Sequence, residues 1–309
     1  MDHPSQTLQN VREALAAVPE LEVLTLAADL ERYSRDAYDY SPVLAARFRE
    51  CRADLVVRPR SRDAVVAVAS VCARAQVPLT LRGSGTGNYG QCVPLKAGVV
   101  MLMNELRAVR SLDASTGVVE VECGCLLKDL DHALAEQQRQ LRLMPSTWRS
   151  ASVGGFIAGG SGGIGSVRWG FLRDPGHLLA LEVVTLEKEP RILRLAAAEA
   201  EALNHAYGTN GIITALTLTS APRVAWQEVC IDCDDWSTAV ALAQRCQQAA
   251  VELFLCTVLD AQIVAGLPAW SGASQGRHRL LLLVSPDGVS TVERIAAAAG
   301  AEARCLGAE

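Results

Sequence analysis

Residues 81–90, "LRGSGTGNYG", place four glycines within eight positions, directly after an apolar run typical of a β-strand. Each glycine loses conformational entropy on folding and adds no side-chain packing. The stretch is therefore either a plain structural turn or a place where the backbone itself approaches another group. Successive amides in such turns form a concavity that holds phosphate, and Ser84 and Thr86 add hydroxyl donors to it.

The spacing of this loop excludes the two commonest nucleotide-binding motifs. The glycines follow G-x-G-x-G rather than G-x-G-x-x-G, no predicted helix begins there, and no acidic residue follows at the distance of a Rossmann fingerprint. The loop is not a P-loop either, because no G-K-[S/T] is present. Taken alone, the cluster favours a plain loop over a phosphate site.

A second glycine-rich tract, "SVGGFIAGGSGGIGS" (152–166), changes that balance. The first tract ends a predicted strand–helix–strand unit, in which Ser61 is a good N-cap for the helix. Two glycine-rich backbone surfaces on an α/β framework suggest a large, elongated ligand held from two sides. A dinucleotide cofactor has the appropriate size.

The composition is that of a globular protein with a sizeable core, since 50% of the residues are apolar and 20% are charged. At 309 residues the chain predicts two domains. The net charge of −5 gives no electrostatic reason to expect nucleic acid or an anionic membrane as a partner. The first residues lack the pattern of a signal peptide and no apolar run spans a bilayer, so we expect a cytoplasmic protein without a transmembrane segment.

The ten cysteines are scattered and mostly lie in apolar surroundings, where a thiol behaves as a small core residue. Cys230 and Cys233 have the spacing of a metal-ligand pair, but no second pair accompanies them. We therefore expect a structural pair on a strand rather than zinc, and no metal site.

Later segments predict further elements. "AGVVMLM" (97–103) and the strand-like runs after it are expected to belong to a second region, and "LLALEVVTLEKEPRILRL" (178–195) to form a hairpin. "AEAEALNHAYG" (198–208) predicts a helix closed by Gly208.

Four motifs, in order within residues 53–222, resemble the FAD-binding domain of the vanillyl-alcohol oxidase / p-cresol methylhydroxylase (PCMH-type) superfamily. They are "RPRSRDAVVAVASVCARAQVPLTLRGSGTG" (58–87), "PSTWRSASVGGFIAGGSGGIGSVRWG" (145–170), "LLALEVVTL" (178–186) and "YGTNGIITALTLTSAP" (207–222). In character they are similar to FAD-linked oxidases such as the glycolate oxidase flavoprotein subunit and D-lactate dehydrogenases.

The resemblance implies an α+β fold, in which a two-subdomain PCMH-type FAD-binding domain is followed by a cap module. We expect a helical lead-in over residues 1–50, the FAD-binding domain over 51–224, and a ferredoxin-like α/β cap or substrate module over 225–309. The β-α-β-β-α series from Trp226 onward, ending in "AEARCL", is typical of a ferredoxin-like unit. Relatives run well beyond this length, so it stays open whether the module is truncated and whether the chain is a fragment of a longer oxidase.

The resemblance also implies which residues contact FAD. The loop implied to wrap the pyrophosphate comprises Gly83, Ser84, Gly85, Thr86, Gly87 and Asn88. The second wall comprises Pro145, Ser152, Gly154 and Gly155, with Ile157 and Ala158 toward the isoalloxazine, and the late segment contributes Ile212 and Ile213. Backbone amides neutralise an anionic pyrophosphate without buried lysines. For Arg82, a phosphate contact and a structural ion pair at the strand end both stay open.

For function, the resemblance implies an oxidoreductase that oxidises a small 2-hydroxy acid or related alcohol by hydride transfer to flavin N5. Electrons then pass to a quinone, a partner protein or oxygen. Covalent family members use a histidine at or near the glycine loops, and these loops hold none, so we expect non-covalent FAD. The alternatives are a reductase of the UDP-sugar-forming kind, a non-catalytic or electron-transfer flavin-binding subunit of a larger complex, and a truncated oxidase without its catalytic C-terminal segment.

No catalytic residue is predicted. Substrate oxidation needs a base, but none of the five histidines has motif support. His3 lies in the tail, and His278 heads a strand of the second module. We expect solvated or capping roles for His132 and His205 on helices, and a structural role for His177 in a loop.

Overall fold

The computed structural model of the protein describes residues 4–160, 162–267 and 276–306, so His3 lies outside the described residues. The chain divides into two units, Met1–Ser161 with Leu172–Pro222, and Gly162–Phe171 with Arg223–Glu309. Residues 162–171 thus group with the C-terminal residues.

The first unit begins with a four-stranded sheet and its helices. In chain order these elements are α1 (Pro4–Ala16), β1 (Leu21–Leu24), α2 (Ala27–Tyr33), α3 (Pro42–Phe48), β2 (Leu55–Pro59), α4 (Arg62–Ala75), β3 (Leu79–Arg82) and β4 (Val99–Leu102), with a 3₁₀ turn at Tyr38–Tyr40. The strand order is β1-β2-β4-β3. Strand β4 is parallel to both β2 and β3, and β1 joins antiparallel to β2.

Helix α4 begins where the sequence predicts it. The Ser61 side-chain oxygen accepts a hydrogen bond from the Ala64 amide at 3.3 Å, which satisfies a donor that the first turn leaves unpaired. Val65, Val68 and Cys72 recur at helical spacing and are buried. The helix therefore covers the sheet with its apolar face.

Strand β4 corrects one prediction. Residues 97–103 do not belong to a second region, because β4 pairs between β2 and β3 in the first sheet. All four of its residues are buried, as expected for a central parallel strand covered on both faces. A continuous apolar run predicts such a strand but does not indicate which sheet contains it.

The next elements build a five-stranded antiparallel sheet and its neighbours. They are β5 (Val109–Leu112), β6 (Val118–Glu122), α5 (Leu127–Glu136), β7 (Arg139–Gln140), α6 (Val153–Gly159), α7 (Ser166–Trp169), β8 (Leu178–Val184), β9 (Ile192–Ala196), α8 (Ala197–Ala200), β10 (Ile212–Thr219) and β11 (Ala221–Pro222). The strand order is β5-β6-β10-β8-β9, while β7 and β11 form a separate pair. The predicted β8–β9 hairpin is confirmed.

The predicted helix over residues 198–208 is wrong beyond its first turn, because α8 ends at Ala200. His205 and Tyr207 instead have φ angles of 60° and 52°, which do not continue a helix. Their amides donate to the carbonyls of Ile157 (3.0 Å) and Ala158 (2.9 Å) in α6. These tertiary hydrogen bonds replace the ones that a longer helix would have made.

The second unit contains a ferredoxin-like module. Its elements are β12 (Gln227–Cys233), α9 (Trp236–Gln248), β13 (Leu253–Leu259), α10 (Ala261–Ala265), β14 (His278–Val284), α11 (Val289–Ala297) and β15 (Ala303–Cys305), with a 3₁₀ turn at Pro286–Gly288. The antiparallel order β13-β14-β12-β15 and the connecting helices match the predicted β-α-β-β-α-β arrangement. Ile231 and Leu280 lie in its core with residues of α9 and α11.

Two features of the described residues concern the patterns of a metal site and of a membrane-spanning helix. Cys230 and Cys233 are both buried in β12, and a separation of three places them on opposite faces of the strand. Within residues 4–160, 162–267 and 276–306, no three or more His, Cys, Asp or Glu side chains are grouped to hold a metal ion. In the same part of the chain, no helix has both the length and the apolarity needed to cross a membrane.

A charged cluster centred on Glu182 of β8 connects α4 to the second sheet. Its carboxylate accepts hydrogen bonds from Arg62 at the start of α4 (3.2 Å), Arg110 of β5 (3.3 Å) and Thr214 of β10 (2.8 Å). Burial alone would raise the pKa of Glu182, but the hydrogen bonds from Thr214 and Arg110 and the charges of Arg110 and Arg62 lower it below its ordinary value. The ionised carboxylate therefore stabilises the packing of the two layers.

We expect Glu182→Gln to lower the free energy of unfolding by about 1–3 kcal/mol at neutral pH, because two guanidinium groups lose their charged acceptor. Because the pKa of Glu182 is lower in the folded protein than in the unfolded chain, its carboxylate stabilises the fold at pH values above the unfolded-state pKa. This contribution is lost as the pH falls through the lowered, folded-state pKa. The difference from wild type in urea unfolding should therefore shrink on acidification. Glu187→Gln, which alters an exposed pair with Arg191, is the matched control and should have a much smaller effect; equal losses would contradict the prediction.

Candidate functional site

A cleft of about 440 Å³ lies within the first unit, between the glycine loop after β3 and helix α6. It is lined by most of the predicted site residues: Gly83, Ser84, Gly85, Thr86, Gly87, Asn88, Pro145, Ser152, Gly154, Gly155, Ala158 and Ile213. The structure therefore brings the two glycine tracts and the late segment to one place.

Ile157 and Ile212 are not among the lining residues. Their side chains are buried in the core, with exposed fractions of 1% and 2%. Successive residues of a strand face opposite sides of the sheet, so Ile213 reaches the cleft and Ile212 does not. On α6, Gly154 and Ala158 are one turn apart and face the cleft, whereas Ile157 packs inward.

The first turn of α6 is held firmly at the end of β6. The Ser152 hydroxyl accepts a hydrogen bond from the Gly155 amide at 3.3 Å and caps the helix. The amides of Val153 and Gly154 donate to the carbonyls of Cys125 and Cys123, both at 2.8 Å. The helix start is thus positioned by the second sheet rather than by its own length.

Gly83 brings the first glycine loop against this turn. A β-carbon at Gly83 would lie 2.5 Å from the Ser152 hydroxyl oxygen and 3.5 Å from the Gly155 α-carbon. A side chain at this position would push the two backbones apart. Glycine is therefore required by the close approach.

The loop itself presents a row of unused donors. Within the described part of the chain, the backbone amides of residues 84–88 donate no hydrogen bond to another residue. Because these amides border the cleft and bond no other part of the described chain, they are available to an acceptor that enters it. Successive free amides of this kind hold anions.

The side chains that line the cleft suit an anionic ligand better than a cationic one. Among the described residues that line it there is no Lys, Arg, Asp or Glu. The polar side chains are the hydroxyls of Ser84, Thr86, Ser146, Thr147 and Ser152, the amides of Asn88 and Gln91, and the side chains of Tyr89, His205 and Tyr207. A phosphate here meets donors and no carboxylate that would repel it.

Arg82 lies behind the loop rather than in the cleft. Its side chain is buried, and its guanidinium donates to the Arg35 carbonyl. A β-carbon at Gly85, where φ is +72°, would collide with that guanidinium. The nearby Asp36 has its pKa raised by burial, and the charge of Arg82 opposes that rise. This arrangement favours a structural role for Arg82 at the strand end, through a backbone carbonyl instead of the predicted ion pair.

The cleft contains two thiols, and neither is activated. Burial raises the pKa of Cys92 to about 11 and that of Cys123 to about 12. Both groups therefore stay protonated near neutral pH. They pack as small apolar side chains and do not serve as nucleophiles.

The structure also places in the cleft two residues without sequence support, His205 and Tyr207. The histidine ring nitrogen Nε2 lies 2.9 Å from the Tyr207 hydroxyl. His177, for which we expect a structural role in a loop, is buried and does not line the cleft. The Gly-Thr-Asn-Gly run that follows Tyr207 was the only local sign that residues 198–208 are not one helix.

Residues 53–193 match a family model described as an FAD binding domain. Over 215 residues the chain is 27% identical to glycolate oxidase subunit GlcD of Escherichia coli (strain K12), which covers 67% of this chain and 40% of that protein. Over 193 residues it is 30% identical to a D-lactate dehydrogenase of Anaerostipes hadrus, covering 60% of this chain and 40% of that protein. The chain spans about 40% of the length of these curated relatives.

The fold is similar to that of a solved alkyldihydroxyacetonephosphate synthase. The TM-score is 0.80 at 17% sequence identity, and the match covers 100% of this chain and 61% of the other. This likeness confirms the predicted α+β fold.

We expect Gly85→Ala to lower the free energy of unfolding by about 1–2 kcal/mol from its left-handed backbone alone, with a further loss from the collision with Arg82. Gly87→Ala is the matched control, since its φ lies outside the left-handed region and its β-carbon meets only the end of the flexible Gln91 side chain. Its effect should stay within about 0.5 kcal/mol. Urea unfolding of the two variants checks this, and equal stabilities would contradict it.

Proposed function

Since this chain carries an FAD-binding domain of the PCMH-type FAD-linked oxidase family, we propose that it holds FAD without a covalent bond and oxidises a small 2-hydroxy acid or a related alcohol. The observation that supports this most directly is the row of unpaired amides over residues 84–88 beside the cleft. A dinucleotide supplies the anionic oxygens that such a row requires.

The residues present fit the pyrophosphate of FAD. The amides of residues 84–88 and the hydroxyls of Ser84 and Thr86 would hold the phosphate oxygens. Gly83 keeps the loop close to the start of α6, so that Ser152 and Gly155 form the opposite wall. No lining carboxylate among the described residues competes for these donors.

Bound FAD supplies the acceptor for a hydride from the substrate carbon. The chain's own contribution is to bind and orient the cofactor and to exclude water from its buried side. The substrate class rests on the names of relatives, which include glycolate oxidase, D-lactate dehydrogenase and D-2-hydroxyglutarate dehydrogenase. Each of these names refers to a 2-hydroxy acid.

We expect the purified protein to show the absorption bands of a flavin and to release it on denaturation with acid. The flavin should stay in the supernatant after the protein is precipitated, because neither glycine tract contains a histidine or cysteine for attachment. Colour in the precipitate would contradict non-covalent binding. His205→Ala would then test the histidine that the structure places in the cleft.

Anaerobic mixing with glycolate, D-lactate and D-2-hydroxyglutarate tests the activity. We expect at least one of them to bleach the flavin absorption, because hydride transfer reduces the bound cofactor. The L-enantiomers of the two chiral acids are matched controls, with the same charge and size. Bleaching by none of these acids, in a protein that binds FAD, would contradict the proposed oxidation.

That negative outcome would favour the alternative of a non-catalytic or electron-transfer flavin-binding subunit. One observation favours this alternative: among the described residues that line the cleft there is no Lys, Asp or Glu to act as a base, and His205 is the only histidine. We propose for either function, oxidase or electron-transfer subunit, that the electron acceptor is a partner protein, a quinone or oxygen.

A further inference from the structure

The His205 and Tyr207 pair has a fixed arrangement at the edge of the cleft. Nε2 of His205 lies 2.9 Å from the Tyr207 hydroxyl, and the two rings meet edge to face with centroids 5.2 Å apart. The His205 ring lies directly against Gly160, where a β-carbon would collide with it. Both side chains are nonetheless solvent-exposed, and that of Tyr207 is 45% exposed. The pair is therefore positioned by the scaffold but open to a ligand.

The backbone of this pair is strained. His205 and Tyr207 have φ angles of 60° and 52°, in the left-handed region that glycine adopts at little cost. Such strain in non-glycine residues concentrates at functional sites, where the surrounding structure holds it in place. Here the amides of the two residues are held by the carbonyls of Ile157 and Ala158. A glycine would meet the backbone requirement better, so the side chains themselves need a reason.

The pair contacts a different part of α6 from the phosphate loop. Gly83 packs against Gly155 in the first turn of α6, whereas His205 and Tyr207 are bonded to its last turn. Gly155 and Ala158 are three residues apart, which corresponds to about 4.5 Å along the helix axis. Both ends of α6 line the same cleft. The cleft therefore has an anion-holding end and a second end with an imidazole and a phenol.

We propose that His205 and Tyr207 bind a heteroaromatic ring of the bound FAD, an inference that rests on the proposed function. FAD has one such ring on each side of its pyrophosphate, so a pair that lines the same cleft about one turn further along α6 faces one of the two. Both rings have hydrogen-bonding edges, which an imidazole–phenol pair complements. The Nδ1 atom of His205 has no partner among the described residues and is available for this contact.

The test measures the affinity of the full chain for FAD by flavin fluorescence, together with the melting temperature of the FAD-free protein. His205→Gly removes the ring and relieves the strain, and Tyr207→Phe removes only the hydroxyl. We expect FAD affinity to fall about fivefold to tenfold in each, with no fall in melting temperature. Gln138→Gly is the matched control, because Gln138 has a φ of 55° at the end of α5 and does not line the cleft. It should leave FAD affinity unchanged.

FMN and ADP identify which ring is involved, because each contains one ring and a phosphate. A loss of affinity for FMN alone assigns the pair to the isoalloxazine, and a loss for ADP alone assigns it to the adenine. Either result supports the proposal.

The experiment distinguishes a failure of the proposed function from a failure of this inference. A wild-type protein that binds no FAD would overturn the proposed function. A wild-type protein that binds FAD, with both variants equal to it in affinity and flavin spectrum, would overturn this inference alone. Weaker binding accompanied by a lower melting temperature in both variants would assign the pair a structural role and would also overturn it.

Discussion

The close approach of Gly83 to the first turn of α6 is the constraint on which the cleft depends. The loop follows β3 of the first sheet, and α6 is held at the end of β6 of the second. Because Gly83 has no side chain, the two backbones meet near Ser152 and Gly155. The glycines of both tracts thereby become the walls of one cleft. A methyl group at this contact would separate the walls before it affected either sheet.

This construction lines the cleft with backbone amides and, among the described residues, with no Lys, Arg, Asp or Glu. Backbone amides do not titrate and need no side-chain ordering, so their contribution stays constant over a wide pH range. The charged side chains of the first unit are placed elsewhere. Arg82 supports the loop from behind, and Glu182 uses its charge to hold α4 on the second sheet. Binding and packing therefore rely on different kinds of electrostatic interaction.

Features that depend on a few neighbouring residues were predictable. Ser61 caps α4 because its hydroxyl accepts from an amide three residues away. The β8–β9 hairpin and both glycine tracts are likewise local patterns. The sheet that contains β4 was not predictable, because a fully apolar strand is satisfied between any two partners. The turn at His205 was not predictable either, because its amide bonds to Ile157, which is distant in sequence.

The sequence by itself determined the cap of α4, the β8–β9 hairpin and the two glycine tracts, because glycine spacing and apolar periodicity express local backbone requirements. The resemblance of its motifs to the PCMH-type superfamily indicated the class of fold and the type of cofactor. Only the tertiary structure decided which residues share the cleft. It turned Ile213 toward the cleft and Ile212 into the core, placed Arg82 behind the loop, and brought His205 and Tyr207 to the end of α6. The physical reason is that these positions are set by hydrogen bonds and close packing between segments far apart in the chain, which no local pattern encodes.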